Sequence, residues 1–524
     1  MEIKKVLLCP ATMGIDLGDG SERAEYVGQD YILHTLGRPH RNINIMYTYY
    51  PKDKEWPQRI SEACKDMEIH FQWDYPYDDY YPYEGGLGKD TSGQPFEQMR
   101  DIRKHGQDVT LTLTIDCSLE EEYLTAIAKE LRTFGRMRLR INHECSGDWF
   151  THNQRFSYEE IGAFFVKFCE ILKKEAPNVR TVFCAGAVMD LNDENSRVQY
   201  EEEFLEAYRI ADIWSMDCYL ALHYGWPFDI CEKDSDSYAV TPVEVFYQRL
   251  EKSSKRFTAL NHGNLKPLVV SEFNTDGDVT GPLHQGESIR KFIARLKEEH
   301  AEGWFDGFSM YQFRDRGRLG LEIEDPNNKS VGIPQPLLKE YKEIISDPYF
   351  LPNYEEKEKT ELPVKLRWGG AEDADGILIY LELERTPEFF EIILEKEGNF
   401  MLQIEGKWFY KAPGTERIDL MPLFFEGGPL AEEKAESKEE CGCGHHHEEE
   451  KECGCGHYHE EGEECTSEQQ RIYLAVAIFA PPATGENDPA QGEDWAENYY
   501  YTMKKEPEFR IRYEVVREVP EKEA

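Results

Sequence analysis

The sequence reads as a two-part α/β protein, a (β/α)8 TIM barrel followed by an all-β, sandwich-like domain. Three observations carry that expectation. Through residues 1–350, strand-like apolar runs alternate with helix-like runs, the signature of a parallel sheet joined by crossover helices. The candidate strands number eight, as a barrel requires. Beyond residue 363 the helical runs nearly vanish and short alternating segments take over.

The eight candidate strands are Ile43–Tyr49, Glu68–Tyr75, Val109–Ile115, Met137–Asn142, Arg180–Ala187, Ile213–Tyr219, Pro267–Glu272 and Gly307–Phe313. Val6–Cys9 competes for the place of the first, and a doubly wound sheet is the rival architecture. Between them, Leu119–Phe134, Tyr158–Glu175, Val243–Leu260 and Ser288–Glu302 repeat apolar residues at helical spacing. Residues 351–363, rich in Pro, Glu and Lys, read as a linker. In residues 364–524, Val364–Trp368, Gly376–Leu383, Phe390–Leu394, Met401–Ile404, Ile472–Ala480 and Phe509–Val516 alternate like sandwich strands. Trp495 and Tyr499–Tyr501 are the one hint that this second domain binds a ligand.

Composition narrows the function. With a formal charge of −42, the chain lacks the basic surface that nucleic acid or an anionic membrane needs, so neither is expected as a partner. No apolar run approaches the ~20 residues of a membrane helix. The N-terminus lacks a long apolar core and a small-residue cleavage site, so it reads as a strand rather than a signal peptide, and a cytoplasmic protein is expected. Eight of the 13 cysteines are scattered singly from Cys9 to Cys231 and read as small buried apolar residues.

The chemistry concentrates in Arg140-Ile-Asn142-His143-Glu144-Cys-Ser-Gly147-Asp-Trp149-Phe150. A carboxylic acid at a strand end, beside Arg and His and facing two aromatic rings, suits cleavage of a sugar. The acid needs a proton near neutral pH, and a flat ring gives the sugar a stacking surface. A second carboxyl, Glu272, ends another apolar strand. Barrel active sites form at the C-terminal strand ends, where both residues fall. Retaining glycoside hydrolysis uses two such carboxyls about 5–5.5 Å apart. Arg140, four residues before Glu144, is expected on the same strand face, with its charge keeping a partner carboxylate ionised. Asn142 and His143 would contact sugar hydroxyls or steady a carboxylate. Trp149, Phe150, Trp226 and Tyr311 would line the cleft, and Gly147 would ease a tight turn.

The spacing Arg-x-x-His-Glu-x-x-Gly-x-Trp-Phe resembles the acid/base segment of glycoside hydrolase family 26, clan A retaining β-glycanases on a (β/α)8 barrel that include many β-mannanases. The resemblance spans roughly residues 40–345. It implies that Glu144 is the general acid/base and Glu272 the nucleophile, and that Tyr219, in Asp212-Ile-Trp-Ser-Met-Asp217-Cys-Tyr219, touches the nucleophile. It also implies a carbohydrate substrate and no cofactor for catalysis. The chain departs from the family at Cys145-Ser146, where Met-Asn is usual, and at Thr151-His152-Asn153, where mannanases carry aromatics. The sugar therefore stays open among mannose, glucose and xylose.

Residues 431–465 form a low-complexity, Glu-rich insertion. It repeats Cys441-Gly-Cys443-Gly-His445-His-His447 as Cys453-Gly-Cys455-Gly-His457-Tyr-His459, followed by Cys465. Thiolates and imidazoles at this density suit zinc or another soft metal, although Cys-x-Cys is not zinc-finger spacing. Two alternatives to an enzyme stand beside the glycosidase reading: a sugar-binding barrel without catalysis, and a metal-handling protein that uses this insertion.

Overall fold

The computed structural model describes residues 3–9, 11–20, 25–53, 81–105, 107–223, 238–315 and 317–356, and in the C-terminal part 364–367, 374–383, 387, 389–394, 400–411, 416–424, 430, 472–479, 500–503 and 509–514. Eight parallel strands close into a barrel: Gly14–Gly18, Asn42–Tyr49, Asp108–Ile115, Met137–Ile141, Val179–Cys184, Ile213–Asp217, Leu268–Phe273 and Phe305–Met310. Closure comes from the pairing of Leu17 with Ile43 and Gly18 with Asn44.

The first two strands correct the sequence expectation. Gly14–Gly18 opens the barrel, and Asn42–Tyr49 pairs along its whole length with Asp108–Ile115. No place is left between those two for Glu68–Tyr75, which lies outside the described residues. Gly14-Ile-Asp-Leu-Gly18 escaped notice because two glycines and an aspartate mask its alternation. Ile15 and Leu17 nevertheless join the large barrel core, while Asp16 pairs with arginines.

Helices follow the strands in order, and their sequences explain them. Tyr158–Glu175 starts at a reciprocal cap: Glu160 N–H donates to Ser157 Oγ and Ser157 N–H to Glu160 Oε2. Its buried face is Ile161, Phe164, Phe165, Phe168, Cys169 and Leu172, the spacing of one helical stripe. Val243–Leu260 also runs as expected. Leu119–Phe134 resolves into a helix over Glu121–Leu131 and a 3₁₀ turn over Arg132–Phe134, and Ser288–Glu302 becomes Gln285–Glu298. Among the described residues no helix is long and apolar enough to cross a membrane.

The C-terminal part packs sheet on sheet. One sheet orders Asn353–Glu356, Ile3–Cys9, Ala374–Leu383, Ile472–Phe479, Phe400–Ile404 and Lys407–Lys411. The other holds Arg417–Asp419, Phe389–Leu394 and Phe509–Glu514. Ile377, Ile379, Leu402 and Val476 from the first meet Phe390, Ile392 and Ile418 from the second in one core. Ile3–Cys9 thus belongs to this sandwich, paired antiparallel with Ala374–Leu383 (Ile3 with Ile379, Val6 with Gly376). The expected boundaries shift accordingly. The chain begins in the second domain, and the segment expected to be a linker opens with the strand Asn353–Glu356. Trp495 and Tyr499 lie outside the described residues.

Helices Gln29–Leu36 and Phe96–Lys104 are tied by His105, whose Nε2 lies 2.8 Å from Asp30 Oδ1 and Nδ1 3.2 Å from Asp101 Oδ1. Burial disfavours charge on His105, but hydrogen bonds to Asp101 and Asp30 outweigh it and lift its pKa to about 9. A folded pKa above the unfolded value of ~6.5 adds stability that is complete below that pH and lost as pH rises through about 9. We expect His105→Gln to cost on the order of 2 kcal/mol in urea unfolding at pH 6, and much less at pH 10.

Candidate active site

The strand Met137–Ile141 sets the site. Met137, Leu139 and Ile141 pack in the apolar core, so the alternating positions Arg138 and Arg140 turn to the barrel interior. Arg140 is 1% exposed, and every arm of its guanidinium is bonded. Nε donates to Thr112 Oγ1 at 2.7 Å, and Nη1 to both Asp217 oxygens at 2.8 and 2.9 Å. Nη2 donates to Glu272 Oε1 at 2.6 Å. The other Glu272 oxygen accepts from the Tyr219 hydroxyl at 2.7 Å. Tyr311 meets Tyr219 edge-on, with ring centroids 5.8 Å apart, and lines the central cavity with Glu272 and Arg140.

Glu144 reaches the site from a loop. The strand stops at Ile141, and Asn142 (φ 45°) and Glu144 (φ 50°) both adopt left-handed backbone, which breaks the two-residue alternation. The expectation that Glu144 shares a strand face with Arg140 is therefore corrected. Such conformations cost non-glycine residues on the order of 1–3 kcal/mol and persist only where surroundings enforce them. Here Asn142 Oδ1 accepts from Ile115 N–H at 2.7 Å and its Nδ2 donates to Ile115 O at 3.2 Å, anchoring the turn to the neighbouring strand. Trp149 Nε1 donates to Glu144 Oε2 at 2.7 Å. A Cβ on Gly147 would lie 2.6 Å from the Trp149 ring. Close approach of that ring, rather than a tight turn, explains the glycine.

The carboxyls sit in different fields. Burial, with the Asp217 and Glu272 charges adding to it, holds Glu144 well above the usual carboxylate range, and its Trp149 and Arg140 contacts only partly offset this. The acid form of Glu144 is thereby favoured. Burial also pushes Asp217 up to about 8 against the pull of Arg140. His143 is held neutral by burial and by the Arg140 charge, with Nε2 3.8 Å from Glu272 Oε1. The donor atoms of His143, Asp217 and Glu272 lie within 4.8 Å of one another, a spacing a metal ion could bridge. The Arg140 guanidinium already bonds both carboxylates there, so the cluster has its cation.

The structure thus brings together Arg140, His143, Glu144, Trp149, Tyr219, Glu272 and Tyr311. Two expected sugar contacts are corrected. Asn142 is committed to the Ile115 backbone, and Phe150, 1% exposed, packs at a tilt against His143 (centroids 4.6 Å) and stacks on His152 (5.4 Å). Trp226 and the cluster Cys441, Cys443, His445, His447, Cys453, Cys455, His457, His459 and Cys465 lie outside the described residues. Sequence reading gave Asp217 no role. It also passed over Asp19, Asn44 and Gln312, which line the central cavity. Position at a strand's C-terminal end was the available signal for Asp217 and Asp19.

Known structures with a related chain path include a family 26 β-mannanase from Bacteroides ovatus (12% identity over 65% of this chain and 90% of that one, TM-score 0.39). The catalytic domain of a family 26 endo-β-1,4-mannanase from Bacillus sp. JAMB-750 gives 14% identity, 65% and 87% coverage and a TM-score of 0.42. A family 39 glycoside hydrolase from Bacteroides cellulosilyticus gives 12%, 78% and 79%, and 0.38. No protein-family model matches the chain, and no curated protein matches its sequence.

Two outcomes test the electrostatics. Because the Trp149 bond favours ionised Glu144, Trp149→Phe should raise the Glu144 pKa further, read by carbon NMR titration of the labelled carboxyl. Arg140→Met leaves two buried carboxyls without their cation and should cost about 3–5 kcal/mol in urea unfolding.

Proposed function

We propose that the chain is a retaining β-glycoside hydrolase acting on β-linked mannose-, glucose- or xylose-containing saccharides. One observation supports this above the others. Glu272 receives hydrogen bonds from Arg140 and Tyr219, which orient it, while burial and neighbouring charges hold the nearby Glu144 carboxyl well above the usual carboxylate range. An oriented carboxyl to attack and a second whose acid form is favoured are what the double displacement requires.

In the first step Glu144 gives its proton to the glycosidic oxygen as the bond from that oxygen to the anomeric carbon breaks. A Glu272 oxygen forms a bond to the same carbon, giving a glycosyl ester. In the second step Glu144, now ionised, takes a proton from water. The resulting hydroxide attacks the anomeric carbon, and Glu272 leaves as its carboxylate. Two inversions return the original configuration. Trp149 orients Glu144 through its indole N–H, and Arg140 and Tyr219 orient Glu272. Fully bonded within the protein, Arg140 acts on the nucleophile rather than on the sugar. No residue in this sequence of steps calls for a metal. The Cys441–Cys465 repeat is proposed to take a soft metal, which the steps above do not use.

Aryl β-glycosides and β-linked oligosaccharides of mannose, glucose and xylose test the reading. Glu272→Ala should abolish turnover, and added azide should release the glycosyl azide of inverted configuration. Glu144→Ala should slow unactivated substrates about 10²–10⁴-fold, with azide giving the retained product. Wild-type activity should fall as pH rises through the elevated Glu144 pKa. Chelation with EDTA should leave the rate unchanged. Turnover by Glu272→Ala without azide would remove the assignment.

A further inference from the structure

A second cavity lies at the opposite end of the barrel from Glu144 and Glu272, where the barrel meets the sandwich. Its volume is about 110 Å³, and its walls include Arg38, His40, Arg41, Asp306 and Phe350, with Trp408 from the sandwich. Arg38 is 8% exposed. Its Nη1 donates to Ile345 O at 2.6 Å and Phe350 O at 3.1 Å, and its Nε to Pro39 O at 3.0 Å. These are neutral carbonyls, and no carboxylate among the described residues acts on it. Buried arginines ordinarily have a counter-ion.

The neighbours do not supply one. Asp16 and Asp306 are already shared between Arg41 and Arg138. Asp108, the next carboxylate near Arg138, is taken by Arg103 and Arg136, so Arg38 is left as one positive charge in excess. That excess stands out in a chain of net charge −42. His40 adds a second unmet demand. Its Nε2 lies 2.8 Å from the Tyr341 hydroxyl, while the buried Nδ1 has no hydrogen-bond partner among the described residues. With Tyr341 donating to Nε2, Nδ1 carries the ring proton and is a donor. Water can hydrate such groups but cannot neutralise the charge.

We propose that this cavity binds a small oxyanion of the phosphate type, held by the Arg38 guanidinium with His40 Nδ1–H as a second donor. Nε and Nη1 are committed to carbonyls, which leaves the two N–H groups of Nη2 to donate charge-assisted bonds to the oxyanion. Seated between barrel and sandwich, the anion would hold the two domains together from a site remote from the hydrolytic carboxyls.

The test titrates inorganic phosphate into the full-length protein at constant ionic strength, with chloride as the balancing anion. Heat of binding and Tm are the readouts. We expect one saturable site, a Tm that rises by a few degrees and then levels off, and affinity at least about tenfold weaker in Arg38→Met. His40→Phe, which keeps the guanidinium, should weaken binding as well and serves if Arg38→Met does not fold. A titration without saturable heat, or the same affinity in whichever of the two variants folds, would overturn the proposal.

Discussion

One buried cation organises the catalytic end of this barrel. Arg140 is surrounded by Thr112, Asp217 and Glu272, so a single side chain locks four strands of the barrel together. Burying a guanidinium is unfavourable unless each donor is met, and here the partners come from strands that only barrel closure brings together. Two residues earlier, Arg138 repeats the device at the other end of the barrel with Asp16 and Asp306. Strand periodicity places both arginines inside.

Burial raises the carboxyls around that cation, Glu144 well above the usual carboxylate range and Asp217 to about 8, and Arg140 only partly opposes it. Glu272 has Arg140 and Tyr219 as direct donors, whereas Glu144 has only the neutral indole of Trp149. The acid thus differs from its partner by what it touches rather than by its chemical type. Its loop placement matters equally. Left-handed backbone at Asn142 and Glu144 lifts the acid off the strand and aims it at a site the strand itself could not serve.

The sandwich is not an appendage added after the barrel. The first strand of the chain, Ile3–Cys9, is a central member of its larger sheet, flanked by Asn353–Glu356 and Ala374–Leu383. The chain leaves that sheet, completes the barrel and returns. Both domain connections therefore run at the barrel's base, where Arg38 and Trp408 line one cavity. The active-site loops remain clear of that junction, consistent with the separation of binding and stability faces in such barrels.

Much of this was legible in the residues. Strongly periodic segments such as Tyr158–Glu175 and Val243–Leu260 declared themselves, because an apolar stripe and a cap are local properties. The grouping of Arg140, His143, Glu144 and Trp149 was local too, and the motif resemblance extended it to Tyr219 and Glu272. Weakly apolar strands hid: Gly14–Gly18 carries its barrel role through Asp16, whose arginine partners lie far along the chain. Phe150 and Asn142 looked like sugar contacts, since composition tells that a ring or an amide is present but not which surface claims it. Residue type and spacing were enough for the fold class and the catalytic segment. The home of the first strand, the proton on Glu144 and the unmatched charge on Arg38 depend on groups distant in sequence, and only closure of the barrel and its docking on the sandwich brings those groups within reach of one another.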